Sequence, residues 1–289
     1  MRVTIQTENM KNLRESVHSN CSGVRFGSEF CEWKIPNLGN LKEAYTIVKE
    51  AGKKFSYLTP RISETNLGEV KEQLDFLNGE GDAGLVFNDL GVLSLLEHNP
   101  NLTPQLGRQL VFIPARCPWE QITNFEVSFM ARRHVAKLFY QTNLNNAKTI
   151  NFFLEHGVRN VDLDWIPPCF PYFKPLRDAG LNLSVHLHLT PVTSTRRCHT
   201  ARFLGIDNPV SCPRPCFERG FLLRNMMLDL DFYLLGNVVF RYSEPSPKEI
   251  RNVHSLLGEF EFVVSMNPIT GLEDRKTIDM LIDNLSAFR

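Results

Sequence analysis

VRNVDLDWIPPCFPYFKPLRDAGLNLSVHLHLTPV is the sequence of residues 158–192. It contains two strand patterns and a helix pattern in close succession, and this order indicates the fold class. Residues 158–165 predict a buried strand, and residues 171–180 predict a helix that ends at a glycine. Residues 181–192 alternate apolar and polar side chains over many positions, which predicts one long strand. A strand, a helix and a strand in this order predict a βαβ unit with parallel strands.

The same alternation continues on both sides of this unit. Further strands are predicted at residues 23–27, 54–60, 83–89, 109–115, 237–244 and 261–266. Further helices are predicted at residues 38–52, 66–79 (ended by Gly79), 91–98, 147–157, 247–260 and 274–288. About seven such units predict an α/β fold of the TIM-barrel type over residues 1–289 as a single domain, with an incomplete or degenerate (β/α) barrel as the alternative. No glycine-rich dinucleotide fingerprint follows an early strand, which argues against a Rossmann fold.

Charge and cysteine content narrow the class of protein. The chain has 32 Lys and Arg against 32 Asp and Glu, and this zero net charge argues against wholesale attraction to nucleic acid. The amino-terminal segment is polar, and no apolar run is long enough to span a membrane, so we expect a cytoplasmic protein. Seven cysteines are an odd number in such a chain. In a reducing compartment, clustered cysteines more often bind metal or do redox chemistry than form disulfides.

Three of these cysteines lie in RRCHTARFLGIDNPVSCPRPC, residues 196–216, directly after the longest predicted strand. Cys198, Cys212 and Cys216 would lie at the carboxyl end of that strand, where barrel enzymes have their active sites. Cys31 follows the first predicted strand and is the natural fourth ligand. The spacing predicts a metal site but leaves zinc, an iron–sulfur cluster and a set of buried free thiols open.

Charged neighbours of the cysteines bear on the same question. The nearby arginines are Arg196, Arg197, Arg202 and Arg214. Such cations lower the pKa of thiols and offset the negative charge of a thiolate-bound metal. His199 is next to Cys198 and would suit zinc.

Two pairs of polar residues share a strand face in the predicted barrel. Asp162 and Asp164 could transfer protons or bind a hydroxylated substrate, with a cap or salt bridge as the alternative. His186 and His188 could bind metal or act in acid–base chemistry, with hydrogen-bonded core histidines as the favoured alternative.

The remaining candidates have weaker patterns. The other three cysteines, Cys21, Cys117 and Cys169, are interpreted as buried thiols. One stretch combines aromatic and basic side chains: Trp119, Phe125, Phe129, Arg132, Arg133 and Lys137. It could contact RNA or a partner protein, although the zero net charge favours a solvated helix face.

The cysteine stretch resembles a known protein family. Arg197-Cys198-His199-Thr200-Ala201-Arg202, followed by Cys212 and Cys216, resembles the cluster-binding segment of the U32 (collagenase-like) peptidase family, in particular its UbiV branch, which acts in ubiquinone biosynthesis. Cys31 occupies the place of that branch's remaining ligand, and Asn88-Asp89-Leu90-Gly91 resembles another of its segments. The resemblance extends, in patches, over residues 23–245.

The resemblance implies a TIM-like barrel that holds a [4Fe–4S] cluster through Cys31, Cys198, Cys212 and Cys216. It further implies a subunit of an oxygen-independent hydroxylase, which acts on a small aromatic or quinone precursor together with a second, UbiU-like U32 subunit. Relatives in the family hydroxylate tRNA or ribosomal RNA, so RNA hydroxylation is an alternative function. A non-catalytic partner subunit that carries a cluster or zinc is another, and a peptidase is the least favoured.

The same resemblance suggests roles for three further residues. Arg197 and Arg202 would steady the cluster or bind a carboxylate of the oxygen donor, and Asp162 would transfer a proton. Val161-Asp162-Leu163-Asp164 stands where the family usually has Arg-Glu-Leu-Ser, so the substrate could differ. The segment between Leu223 and the strand at residues 237–244 is shorter than the family's, which predicts a missing barrel helix and reliance on a partner subunit.

Overall fold

The computed structural model describes residues 2–118, 134, 137–227 and 229–287. Its strands are β1 (Arg2–Thr7), β2 (Gly23–Gly27), β3 (Lys54–Thr59), β4 (Ala83–Phe87), β5 (Leu102–Leu106), β6 (Asn160–Asp164), β7 (Asn182–His186), β8 (His188–Ser194), β9 (Phe221–Asn225), β10 (Leu230–Leu235), β11 (Val238–Ser243) and β12 (Glu261–Ser265). Its α-helices are α1 (Met10–Val17), α2 (Leu38–Glu50), α3 (Glu64–Glu80), α4 (Leu90–Leu95), α5 (Ala147–Glu155), α6 (Phe170–Asp178), α7 (His199–Phe203), α8 (Pro247–Leu257) and α9 (Arg275–Ser286).

Parallel strands close into a barrel. Within the described residues, eight strands pair in the order β1, β12, β7, β6, β5, β4, β3 and β2, and β2 pairs again with β1. Every pairing in this ring is parallel. The predicted TIM-barrel-like α/β fold is therefore confirmed, and its barrel is closed rather than incomplete.

Helices connect the barrel strands, as the strand–helix alternation predicts. Helix α8 illustrates why these segments are helical. Its start is a capping box between Ser246 and Glu249, and Ile250, Val253 and Leu257 lie on one buried face at helical spacing. This helix leads into β12, whereas between Leu223 and residue 237 the described chain forms the rest of β9 and β10 and no helix.

A second sheet is inserted between β7 and α8. Its four antiparallel strands lie in the order β8, β11, β10 and β9. The prediction of one long strand over residues 181–192 is wrong, because the chain turns at His188, whose φ is +66°. Strand β7 ends in the barrel and β8 begins the second sheet, and the alternating pattern continues across the turn without interruption.

Four further elements differ from the prediction. Strand β1 and helix α1 precede residue 23, where the predicted elements begin. The strand predicted at residues 109–115 is wrong, since the barrel strand of this region is β5. Pro104 obscures β5, because proline is unusual inside a strand, whereas Val111 and Ile113 are buried without strand pairing. Helix α3 passes Gly79 and ends at Gly81.

Candidate functional site

Charged side chains occupy the interior of the barrel. Arg25 on β2 donates to Asp162 on β6 across the barrel, with 2.7 Å between Nη1 and Oδ2, and contacts Glu261 on β12 at 3.4 Å. Gln105 on β5 also donates to Asp162, at 2.6 Å, and Ser184 on β7 donates to Glu261 at 3.0 Å. Five strands are thus joined by one buried polar network.

Asp162 is held in its ionised form by this network. Burial alone would raise the pKa of its carboxyl group, but Arg25 and His186 outweigh burial and hold that pKa well below its usual range. A buried, ion-paired carboxylate of low pKa is a poor proton donor. Its surroundings favour a structural role, whereas the proton transfer expected from the sequence stays a prediction.

A second charged layer lies at the carboxyl ends of the strands. Arg108 donates two hydrogen bonds to the Glu29 carboxylate, at 2.5 and 2.9 Å, and a third to Asp164 at 3.0 Å. Arg116 contacts the other oxygen of Asp164 at 2.5 Å. Asp162 and Asp164 therefore do share the inner face of β6, as predicted.

Sequence reasoning missed Glu29, Arg108 and Arg116. Glu29 and Arg108 each stand two residues beyond a barrel strand, which is the position from which active-site residues of such barrels come. Arg108 carries no such signal in the sequence, because Pro104 obscures β5 and the predicted strand begins only at residue 109.

The two histidines of the predicted strand face different surroundings. His186 is buried with its Nε2 3.1 Å from Asp162 Oδ2, and burial together with Arg108 lowers its pKa. The imidazole of His188 stacks on Tyr242, with ring centroids 5.5 Å apart. The prediction that these histidines share a strand face is wrong, because the positive φ of His188 redirects the chain between them.

Three of the four candidate cysteine ligands come together at the carboxyl-terminal mouth of the barrel. Cys31 follows β2, Cys198 is the residue at which α7 begins, and Cys216 lies in the short turn Pro215–Phe217. The Cys198 sulfur accepts a hydrogen bond from the backbone N–H of Ala201 at 3.4 Å. Cys31 and Cys198 line the same cavity, and Cys216 interacts electrostatically with both.

A buried lysine stands among these thiols. Lys34 pairs with Glu8, with 2.5 Å between Nζ and Oε2, and its ammonium lies 4.8 Å from the centre of the Phe217 ring. Burial raises the pKa of the Cys31 thiol to about 12 and also raises that of Cys216, while Lys34 opposes both shifts. Nothing in the spacing of the sequence singled out Lys34.

Cys212, the remaining candidate ligand, is half-buried on the loop that leads to Cys216. In the described part of the chain, no three His, Cys, Asp or Glu side chains are close enough together to hold a metal ion as they stand. The donors fit a thiolate-ligated metal in chemistry, and three of them lie at the same end of the barrel, but as placed they do not form a ligand set. The four-cysteine ligand set and the [4Fe–4S] cluster, or zinc, stay predictions.

The other three cysteines are not among the candidate ligands. Cys21 and Cys169 are buried, as predicted, and the Cys21 thiol donates to the carbonyl of Ser16. Cys117 is only partly buried. Burial raises the pKa of its thiol.

A cavity of about 570 Å³ opens beside Cys31 and Cys198. Four arginines line it: Arg61, Arg196, Arg197 and Arg202. Its lining also includes the acidic residues Glu32 and Asp207. The cavity is therefore rich in cationic groups that suit a carboxylate or another small anion. The structure thus brings Arg197 and Arg202 together, and Arg61 was missed by sequence reasoning.

A second cleft of about 430 Å³ adjoins this cavity and shares Phe30, Arg61, Gln109 and Ser194 with it. Its remaining lining is mainly apolar: Phe112, Ile113, Pro114, Pro191 and Val192, together with Arg116, Cys117 and Thr193. The joined clefts suit a ligand that has an anionic group and an apolar or aromatic body.

The basic–aromatic stretch of the sequence lies outside the described residues from Trp119 to Arg133, and Lys137 is exposed. No helix in the described residues has the length and apolar character needed to cross a membrane.

Comparisons with known proteins found no matching family model and no matching curated protein. Among solved structures, the chain is similar to the U32 peptidase Mk0906, with 11% identity, a TM-score of 0.44, and coverage of 92% of this chain and 93% of that one. It is also similar to the spore cortex-lytic enzyme SleL of Bacillus cereus, with 9% identity, a TM-score of 0.42, and coverage of 98% and 74%. A glycoside hydrolase family 18 N-acetylglucosaminidase from Paenibacillus barengoltzii has 9% identity, a TM-score of 0.39, and full coverage of both chains. The assignment of the fold rests on the strand pairing described above.

Proposed function

We propose that this chain is an iron–sulfur protein of the U32 family and a subunit of an oxygen-independent hydroxylase that acts on an aromatic or quinone precursor. One observation supports the proposal more than any other. Three cysteine thiols from three separate segments lie at the carboxyl-terminal mouth of a closed barrel, directly beside an arginine-lined cavity.

The residues of the mouth would divide the work between them. Cys31, Cys198, Cys212 and Cys216 would hold the [4Fe–4S] cluster, which supplies one-electron transfer when bound. Lys34 would offset part of the negative charge of the thiolates.

The cavity residues would bind and orient the substrate. Arg197 and Arg202, together with Arg61, would hold a carboxylate of the substrate or of the oxygen donor. The apolar cleft beyond Phe30 would take an aromatic ring and exclude water from it. The buried layer of Glu29, Arg108 and Asp164 would keep the floor of the mouth rigid.

A series of alanine substitutions tests the ligand assignment. Each of the four candidate cysteines is replaced singly, and iron is measured after anaerobic purification. Replacement of Cys21 or Cys169 serves as the matched control, because both are buried thiols that are not candidate ligands. We expect each candidate variant to lose most of its iron and both controls to keep it. Unchanged iron in any candidate variant would remove that residue from the ligand set.

A second experiment tests the proposed partnership. A tagged form of this chain is purified anaerobically from cells that also produce a second U32 protein of the UbiU type. We expect the two chains to elute together and to hydroxylate an aromatic precursor without oxygen. Separate elution, with activity in neither fraction, would contradict the proposal of a hydroxylase subunit.

A further inference from the structure

A two-residue turn connects β10 to β11 at the barrel mouth. Leu235 and Val238 pair across this hairpin, so Gly236 and Asn237 form the turn. Gly236 has a φ of +63°, whereas Asn237 is not in the left-handed region. This combination is typical of a type II′ turn, which favours glycine at its first central position. Asn237 is buried, with 6% of its surface exposed.

The side chain of Asn237 binds two cysteine-bearing segments at once. Its amide nitrogen donates to the carbonyl of Phe30 at 2.9 Å, and Phe30 directly precedes Cys31. The same nitrogen donates to the carbonyl of Thr195 at 2.7 Å, three residues before Cys198. The backbone of Thr195 in turn donates to the carbonyl of Asn237 at 3.0 Å.

Gly236 completes the contacts on the other side of the turn. Its carbonyl accepts a hydrogen bond from Thr200 at 3.1 Å, which holds the first turn of the helix that begins at Cys198. A Cβ atom placed on Gly236 would lie 3.6 Å from the Cys216 sulfur. The two-residue turn therefore touches the segments of all three neighbouring thiols.

The segment that carries Cys198, Cys212 and Cys216 has few anchors of its own. Between the end of β8 and the start of β9, the described chain forms one short α-helix, a short 3₁₀ turn and loops, without strand pairing. Hydrogen bonds from outside must therefore fix its position. Arg214 supplies one such bond, to the carbonyl of Trp33, but this arginine is exposed. The contacts of Asn237 are more sheltered from water.

We infer that the Gly236–Asn237 turn assembles the thiol group, with Asn237 as its positioning residue. Both hydrogens of the Asn237 amide are used on backbone carbonyls of two different cysteine segments. Loss of the amide leaves both carbonyls without this donor, so the segments would separate from each other. The inference concerns the site of the proposed function. It rests on that function for what the thiol group does, but not for how the group is assembled.

Thiol alkylation of the reduced, metal-free protein tests the inference without any cluster. The rate at which iodoacetamide modifies each cysteine is followed by mass spectrometry in the wild type, in Asn237→Ala and in Asn237→Asp, which cannot donate. Asn99→Ala is the matched control. Asn99 is buried and donates to a backbone carbonyl, that of Leu95, remote in sequence from every cysteine segment.

We expect both Asn237 variants to increase alkylation of Cys31, Cys198 and Cys216 at least several-fold, while Cys21 and Cys169 keep their rates. The Asn99 variant should leave all the cysteines at wild-type rates. Wild-type rates for the three mouth cysteines in a folded Asn237 variant would overturn the inference. Circular dichroism and a urea unfolding curve establish that each variant is folded.

Hydrogen exchange of the wild type keeps the inference testable if both Asn237 variants fail to fold. The amides of Thr195 and Thr200 bond to the turn, so we expect them to be protected to the same degree as the β10–β11 hairpin. Exchange of these two amides far faster than that of the hairpin would overturn the inference.

Iron binding separates the two proposals. If wild-type protein takes up no iron while the alkylation pattern changes as expected, the proposed function fails and the role of Asn237 stands. If wild-type protein binds iron and the mouth cysteines of the Asn237 variants are alkylated at wild-type rates, the role of Asn237 fails and the proposed function stands.

Discussion

Arg108 holds two carboxylates that come from different parts of the barrel. It donates to Glu29, beyond β2, and to Asp164, at the end of β6, and all three side chains are buried. Burial opposes the charge of Arg108, but Glu29 and Asp164 outweigh it and raise its pKa. Removal of one partner from such a group leaves buried charge without compensation, which is far costlier than loss of a surface pair.

Replacement of Arg108 by alanine should therefore lower the free energy of unfolding by about 3–5 kcal/mol. Arg14→Ala is the control, because Arg14 pairs with Glu43 at the surface and such pairs contribute about 1 kcal/mol or less. Urea unfolding curves measure both differences. Equal effects of the two substitutions would show that the charged layer at the mouth is not a buried network.

His186 predicts a pH dependence of stability. In the folded chain, burial and Arg108 lower the pKa of His186, whereas in the unfolded chain this pKa is about 6.5. The unfolded chain therefore binds more protons below that pH, and stability present above about 6.5 is lost as the pH falls towards the folded pKa. For one histidine the slope is at most about 1.4 kcal/mol per pH unit.

We expect the free energy of unfolding of the wild type to fall between pH 7 and pH 5. His186→Gln should show a shallower dependence, because the residue that takes up protons on unfolding is gone. His156→Gln, at an exposed position after α5, should retain the wild-type slope. A His186 variant with an unchanged slope would refute the prediction.

The arginines of the large cavity predict affinity for an aromatic carboxylate. Arg197→Gln and Arg202→Gln should each weaken the binding of 4-hydroxybenzoate about tenfold or more, since a hydrogen bond to a charged group contributes about 1.5–3 kcal/mol. Calorimetry measures the affinity, with surface variant Arg14→Gln as the control. Binding that is unchanged in both cavity variants would place the ligand elsewhere.

At the scale of elements, the close approach of two barrel strands explains one glycine. Gly27, at the end of β2, has a φ of +134°, and a Cβ atom there would overlap the carbonyl oxygen of Leu58 on β3. Backbone of this conformation next to a neighbouring strand accepts only glycine.

Gly27→Ala should destabilise the fold by at least about 2 kcal/mol, because strain and the overlap with backbone add. Gly79→Ala is the matched control, since Gly79 lies inside α3 with open space around it. This control should gain about 0.5–1 kcal/mol from helix propensity. Thermal unfolding measures the stability of both variants. A Gly27 variant as stable as the wild type would contradict the described pairing of β2 with β3.

The elements that could be predicted from the sequence are those whose burial leaves a plain pattern. Strand β4 is a short apolar run, strand β3 carries two large aromatic residues and a leucine, and helices such as α8 carry apolar residues at helical spacing. The turn at His188 could not be predicted, because the side chains on both sides of it alternate in the same way. The chain turns at His188 because of the backbone conformation of that residue, and the alternation of apolar and polar side chains gives no information on backbone conformation.

The candidate site shows the same division. The cysteine-rich stretch and Cys31 stand out by residue type, so their presence near a strand end could be predicted. Lys34, Glu29 and Asn237 could not, since each is an ordinary polar residue in sequence and gains its role from distant partners.

At the scale of the whole molecule, the barrel and the second sheet share the mouth between them. The barrel supplies Cys31 and the buried charged layer, and the connection within the second sheet supplies Cys198 and Cys216. The β10–β11 turn connects the Cys31 segment to the Cys198 segment through the two hydrogen bonds of Asn237. The cavity beside the thiols is therefore lined by residues from both units.

The metal content of the wild-type protein decides whether the cysteines of the mouth hold an iron–sulfur cluster. The chain is purified without oxygen, and iron, acid-labile sulfide and zinc are measured together with the visible absorption spectrum. We expect iron and sulfide in equal amounts and a brown protein whose visible absorption bleaches on reduction. A colourless protein that carries one zinc per chain, or no metal at all, would contradict it.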